Sequence, residues 1–162
     1  MMTESGTRLC VVLNGERKET QIDQRALLIE AVRDLGATGA RIGCLTGDCG
    51  ACSLELDGRL AKSCLVLAVS ADGSDIVTIE GSRHAIAHAL QDAFVACNGF
   101  QCGYCTSGMI MAAVDLLRVN EAPSEADIRR AISGNLCRCT GYEDIVKAIG
   151  HAAETLRQTS SQ

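Results

Sequence analysis

Ile42-Gly43-Cys44-Leu45-Thr46-Gly47-Asp48-Cys49-Gly50-Ala51-Cys52 has neither helical nor strand periodicity, and its three cysteines lie among glycines. With Cys64 the stretch becomes a quartet of spacing C-x4-C-x2-C-x11-C. A second quartet follows: Cys102 and Cys105 as C-x2-C, then, after 31 residues, Cys137 and Cys139 as C-x-C. Eight of the ten cysteines are thereby grouped, and neither group has the spacing of a zinc ribbon.

C-x4-C-x2-C with a distant fourth cysteine is the plant-type ferredoxin pattern for a [2Fe–2S] cluster. Such a cluster is anionic and becomes more so on reduction. Gly43, Gly47 and Gly50 let backbone N–H groups turn toward the sulfurs without Cβ clashes. The other readings of the first quartet are a zinc site or a set of buried thiols. The second quartet, on spacing alone, admits zinc as well as a cluster. Two quartets in one small chain predict two redox centres and one-electron traffic.

Outward from the first quartet the chain reads as mixed α/β. Leu9–Leu13 is an apolar run ended by Asn14-Gly15, a hairpin signal, with a return strand near 18–22. Leu28, Ala31, Val32 and Leu35 share one helical face before Gly36. Cys52, Leu54 and Leu56 alternate with Ser53 and Glu55 as a half-buried strand does, and Asp57-Gly58 turns into a partner at 59–61. Ile76–Ile79 is a last strand. The character changes near Gly81. Four amphipathic segments follow, marked by Leu90/Phe94, Ile110/Val114, Ile128/Ile132 and Ile145/Ile149, the third opened by Ser124 and Asp127 in capping-box spacing. Short connections between them predict a helical bundle. The chain is expected to fray after Gln158.

The 162 residues are 47% hydrophobic but only 2% aromatic, so any core is aliphatic. A net charge of −5 argues against nucleic acid as the main partner. No apolar run is long enough to span a membrane. The polar start, Met1–Arg8, lacks an export signal, which predicts a cytoplasmic protein whose cysteines hold metal rather than form disulfides.

Three segments in order carry a resemblance: Ile42-Gly43-Cys44…Cys49-Gly50-Ala51-Cys52, Gln101-Cys102-Gly103-Tyr104-Cys105-Thr106-Ser107-Gly108-Met109, and Gly134-Asn135-Leu136-Cys137-Arg138-Cys139-Thr140-Gly141-Tyr142. Together they resemble the small iron–sulfur subunit of the molybdenum hydroxylase family, the xanthine dehydrogenase and aerobic carbon monoxide dehydrogenase group. The resemblance runs from Leu9 to Ala153. It implies an α+β fold in two domains. Residues 1–81 would form a β-grasp, plant-ferredoxin-like domain, and residues 82–162 a four-helix bundle holding the second cluster. It implies two [2Fe–2S] clusters on Cys44, Cys49, Cys52, Cys64 and on Cys102, Cys105, Cys137, Cys139. The partners implied are a large subunit with a molybdopterin-type molybdenum cofactor and a medium subunit with FAD, in a dimer of heterotrimers. Gln101 and Cys139 would face the pterin. Electrons would pass from molybdenum to the helical-domain cluster, then to the ferredoxin-like cluster, then to FAD. The family usually has proline where this chain has Ser107; proline there would suit a first helical turn and serine can cap instead, so the expectation is a local change in helix entry with no effect on ligation.

Neither a P-loop nor a G-x-G-x-x-G motif is present, nor an evident nucleophile–base pair, so substrate chemistry is expected on a partner. The substrate stays open among carbon monoxide, an aldehyde, a purine and other N-heterocycles. The competing class is a free ferredoxin-like carrier or a cluster-based regulator. Cys10 and Cys97 belong to no quartet and are expected to pack in the core. His84, His88 and His151 are expected at ordinary surface or helix positions. Arg138 could offset cluster charge or pair with a partner.

Overall fold

The structure, a computed structural model, describes residues 6–160. Its first part is a five-stranded sheet in the order β2-β1-β5-β3-β4. Strands β1 (Thr7–Leu13) and β2 (Glu16–Ile22) form the expected hairpin, with Leu13 opposite Glu16. Asn14 and Gly15 both take positive φ at the turn, as a type I′ hairpin requires. Strands β3 (Ser53–Leu56) and β4 (Arg59–Lys62) form the second hairpin around Asp57-Gly58. Strand β5 (Asp75–Val77) joins the two, parallel to β1 and antiparallel to β3.

Helix α1 (Leu28–Asp34) buries Leu28, Ile29, Ala31 and Val32 in a core with Leu9, Val11, Leu13, Leu54 and Ile76. Cys10 departs from the expectation of core packing. The strand alternates, so Leu9 and Val11 point inward and Cys10 outward, where its sulfur accepts a hydrogen bond from Arg17 Nε at 3.2 Å.

The second part holds helices α2 (Ala85–Ala96), α3 (Thr106–Val119), α4 (Glu125–Ala131) and α5 (Glu143–Ser160). They share a separate core around Leu90, Phe94, Met109, Ile110, Ile145 and Ile149, against which Cys97 packs as expected. Ser124 and Asp127 form the expected capping box. Helix α5 continues to Ser160, past the position at which fraying was expected, and the last two residues lie outside the described ones.

Two further expectations change. Ser53 is buried rather than solvent-facing, because α3 packs on that side of β3, and Glu55 beside it pairs with Arg118 of α3. His84 takes a helix position, one of the two placements expected, but not an ordinary one. It is the N-cap of α2, its Nδ1 accepting the Ala87 N–H, with Arg118 Nη2 3.2 Å from its Nε2. The chain is therefore α+β, with two cores joined across the contact of α3 with β3 and β4.

Candidate metal centres

Each quartet gathers at a junction of elements. Cys44, Cys49 and Cys52 line the loop from α1 to β3, and Cys64 sits in a 3-10 turn (Ser63–Leu65) just beyond β4. Because β3 and β4 are paired, Ser53 opposite Lys62, the hairpin brings the two ends of this quartet together. Cys105 is the N-cap of α3, with Cys102 one turn before it. Cys137 and Cys139 lie between α4 and α5. None of the ten cysteines is joined to another by a disulfide.

The Sγ atoms of Cys102 and Cys139 are 3.6 Å apart. The thiols of each quartet also act on one another electrostatically, Cys44 on Cys49, Cys52 and Cys44 on Cys64, and Cys137 and Cys102 on Cys105. Among the described residues, no three His, Cys, Asp or Glu side chains converge closely enough to hold a single metal ion.

The loops suit a bound anionic cluster. The Thr46 and Cys49 N–H groups each donate to Cys44 Sγ at 3.4 Å. The Thr46 side chain, then the Cys49 and Thr46 N–H groups, pull the Cys44 thiol down to about 6. At Gly43 a Cβ would stand 2.5 Å from Cys49 Sγ, so only glycine leaves room for that sulfur. Burial pushes Cys105 up to about 12 and Cys64 up to about 11. Such thiols are neutral until a metal displaces their protons. Cys137 lies below its usual value despite burial, because Thr140 donates to it through side chain and backbone.

An orphaned pair of hydroxyls marks the second quartet. Thr106 Oγ1 and Ser107 Oγ are buried and lack a partner, the only such side-chain atoms among the described residues. Both directly follow Cys105, where a cluster would bring acceptor sulfurs. Ser107 does not cap α3: Cys105 occupies the N-cap, and Ser107 lies inside the first turn. Gln101 and Cys139 come together at the exposed edge of this quartet, Gln101 Nε2 donating to the Cys139 carbonyl at 3.2 Å.

The two cysteine loops are also fastened to each other. Leu136 N–H donates to the Cys49 carbonyl at 2.9 Å. Buried Asn135 donates through Nδ2 to the Gly50 carbonyl at 3.0 Å. Tyr104 donates its hydroxyl to the Ile42 carbonyl at 2.6 Å, with the Arg41 guanidinium over its ring. The first turn of α3 presses directly on this junction, since a Cβ on Gly108 would collide with the Gly50 carbonyl. The junction residues Asn135, Gly108 and Tyr104 were not singled out as such from sequence. A polar residue beside a cysteine motif gives no signal that it is buried.

Comparison with known proteins agrees with this chemistry. Residues 78–150 match a family described as a [2Fe-2S] binding domain. The nicotine 6-hydroxylase small subunit of Paenarthrobacter nicotinovorans is 43% identical over 140 residues, covering 86% of this chain and 85% of that protein. The caffeine dehydrogenase subunit gamma of Pseudomonas sp. (strain CBB1) is 42% identical over 159 residues, 95% of each chain. The crystal structure of quinoline 2-oxidoreductase from Pseudomonas putida 86 contains a chain that superimposes with a TM-score of 0.87. It is 43% identical, covering 94% of this chain and 97% of that one. The chain belongs to the small iron–sulfur subunits of the molybdenum hydroxylases, the [2Fe–2S]-binding, electron-transferring subunits of those oxidoreductases.

Proposed function

We propose that this chain carries two [2Fe–2S] clusters and relays single electrons from a molybdopterin-type centre on a large subunit to FAD on a medium one. Cys44, Cys49, Cys52 and Cys64 hold one cluster in a β-grasp domain, residues 1–81. Cys102, Cys105, Cys137 and Cys139 hold the other in a four-helix bundle, residues 82–162. The count of four cysteines in each quartet supports this assignment, because four thiolates hold a [2Fe–2S] cluster, and so do the Thr46 and Cys49 N–H groups directed at the Cys44 sulfur. The bound clusters supply one-electron storage, and the protein supplies their spacing, their hydrogen bonds and their docking faces.

The observation that carries the relay is the Leu136 N–H to Cys49 carbonyl bond. Leu136 precedes Cys137, so one hydrogen bond connects the carbonyl of a ligand of the first cluster to the residue next to a ligand of the second. Gln101 and Cys139, exposed together, are the face toward the pterin. Exposed Leu45 and Leu65 directly follow Cys44 and Cys64 and are the face toward the flavin subunit. The names of the relatives, a small and a gamma subunit, support a multi-subunit complex, which we take as a dimer of heterotrimers. We place the chain in the cytoplasm, whose reducing environment keeps cysteines available as metal ligands. No helix among the described residues is long and apolar enough to cross a membrane.

The test is Cys49→Ala in the assembled complex. The wild-type chain should carry about four iron and four acid-labile sulfide. The variant should carry half, with all subunits present. Substrate should still reduce the Cys102/Cys105/Cys137/Cys139 cluster, seen as its electron paramagnetic resonance signal, while flavin reduction becomes very slow. Flavin reduction at the normal rate would overturn the order of the relay.

A further inference from the structure

Lys62 ends β4, two residues before Cys64 and directly opposite Ser53, which follows Cys52. Its ammonium donates to the Gly47 carbonyl at 2.5 Å, inside the loop of the first quartet. On its other side it faces Gly134 of the second quartet's loop, where an added Cβ would stand 3.2 Å from Nζ. Lys62 is half-buried and takes part in no ion pair among the described residues. Other cations also lack a carboxylate, among them Arg33, which holds the Thr38 and Ala40 carbonyls, and Arg41, which lies over the Tyr104 ring, but Lys62 is the one whose charged end sits between the loops of the two quartets. A positive charge held away from water and without a carboxylate partner costs free energy unless something nearby is negative.

We propose that Lys62 is a positioning residue whose charge is directed at the Cys44/Cys49/Cys52/Cys64 cluster and makes that cluster easier to reduce. The inference rests on the reading that the first quartet holds a [2Fe–2S] cluster. Reduction adds one electron to an already anionic centre and moves no atom. A fixed ammonium nearby stabilises the reduced state more than the oxidised one, and the surrounding loop screens it less than bulk water would. The hydrogen bond to Gly47 keeps the flexible lysine stem from carrying the charge out to solvent. In the relay, the effect draws the electron forward, from the helical-domain cluster to the one beside the flavin.

The experiment is a redox titration of the assembled complex with dithionite, following both cluster signals by electron paramagnetic resonance. The signals are assigned beforehand with Cys49→Ala. Lys62→Met should make the first cluster about tenfold harder to reduce, a fall of about 59 mV for one electron, and should shift the second cluster less. Lys62→Arg should restore most of the difference. Lys62→Gln keeps a donor for Gly47 without the charge. It should behave as Lys62→Met, and it serves if the methionine variant fails to assemble. Wild-type potentials in Lys62→Gln, or equal shifts of both clusters, would overturn the proposal. Absence of one cluster signal in the wild-type complex, with iron content halved, would instead overturn the two-cluster reading on which it rests.

Discussion

At the level of single residues, spacing groups the two cysteine quartets, and two buried hydroxyls without partners, Thr106 Oγ1 and Ser107 Oγ, lie beside the second. Cysteine spacing is a covalent fact, so both quartets stand out in the sequence. The side chains that complete the site depend on distant chain. Ser107 is an example: local rules let it cap, yet Cys105 takes that place and the Ser107 hydroxyl is left buried without a partner. Cys10 is another. Leu9–Leu13 is apolar throughout, so the sequence does not reveal which parity faces inward. Gln101 was singled out by resemblance, and its side chain donates to the Cys139 carbonyl. Gln101→Ala should slow reduction of the helical-domain cluster by substrate while iron content stays unchanged. Rapid-mixing spectroscopy checks this, and an unaltered rate for that step would remove Gln101 from the pterin face.

At the level of elements, turns and caps that are local in sequence came through intact: both hairpins, and the Ser124–Asp127 capping box on α4. What failed was burial imposed by another element, as at Ser53, which α3 covers. The position of β5 at the centre of the sheet was equally hidden, because its partners β1 and β3 are remote in sequence. Helix α3 supplies a sharp test. Replacing a helical glycine by alanine ordinarily stabilises by up to about 1 kcal/mol. Gly150 in α5 is such a site, its nearest neighbour, Ile128, being 3.9 Å from an added Cβ. Gly108→Ala should reverse the sign, because the methyl would strike the Gly50 carbonyl, and should destabilise by about 1–3 kcal/mol. Thermal unfolding of the two variants side by side checks it. A Gly108→Ala protein as stable as Gly150→Ala would mean that α3 does not press on the cysteine loops.

At the level of the whole molecule, the two cores are also tied far from the cysteines, by Glu55 of β3, Arg118 of α3 and His84 at the start of α2. Burial, then the positive charge of Arg118, holds the His84 imidazole below its ordinary value, with Glu55 opposing and His88 adding slightly. The neutral ring is the one that accepts the Ala87 N–H. A proton on Nδ1 would set donor against donor. Since the folded value is depressed, the unfolded chain binds protons more readily, and stability falls as pH drops through the ordinary histidine range toward the depressed value. His84→Asn keeps an N-cap acceptor without a titrating group. Between pH 7 and 5 the wild-type chain should lose more melting temperature than His84→Asn, by an amount corresponding to about 1 kcal/mol, the usual value of a cap. Acid effects on the clusters are common to both proteins and cancel. Parallel pH profiles would show that His84 does not sense acid.

The bond from the Leu136 N–H to the Cys49 carbonyl is made by main chain on both sides, and the Leu136 side chain points largely into solvent. A change of charge, size or polarity at position 136 therefore leaves the fastening between the two halves of the molecule in place. Only proline, which has no N–H to give, would undo it.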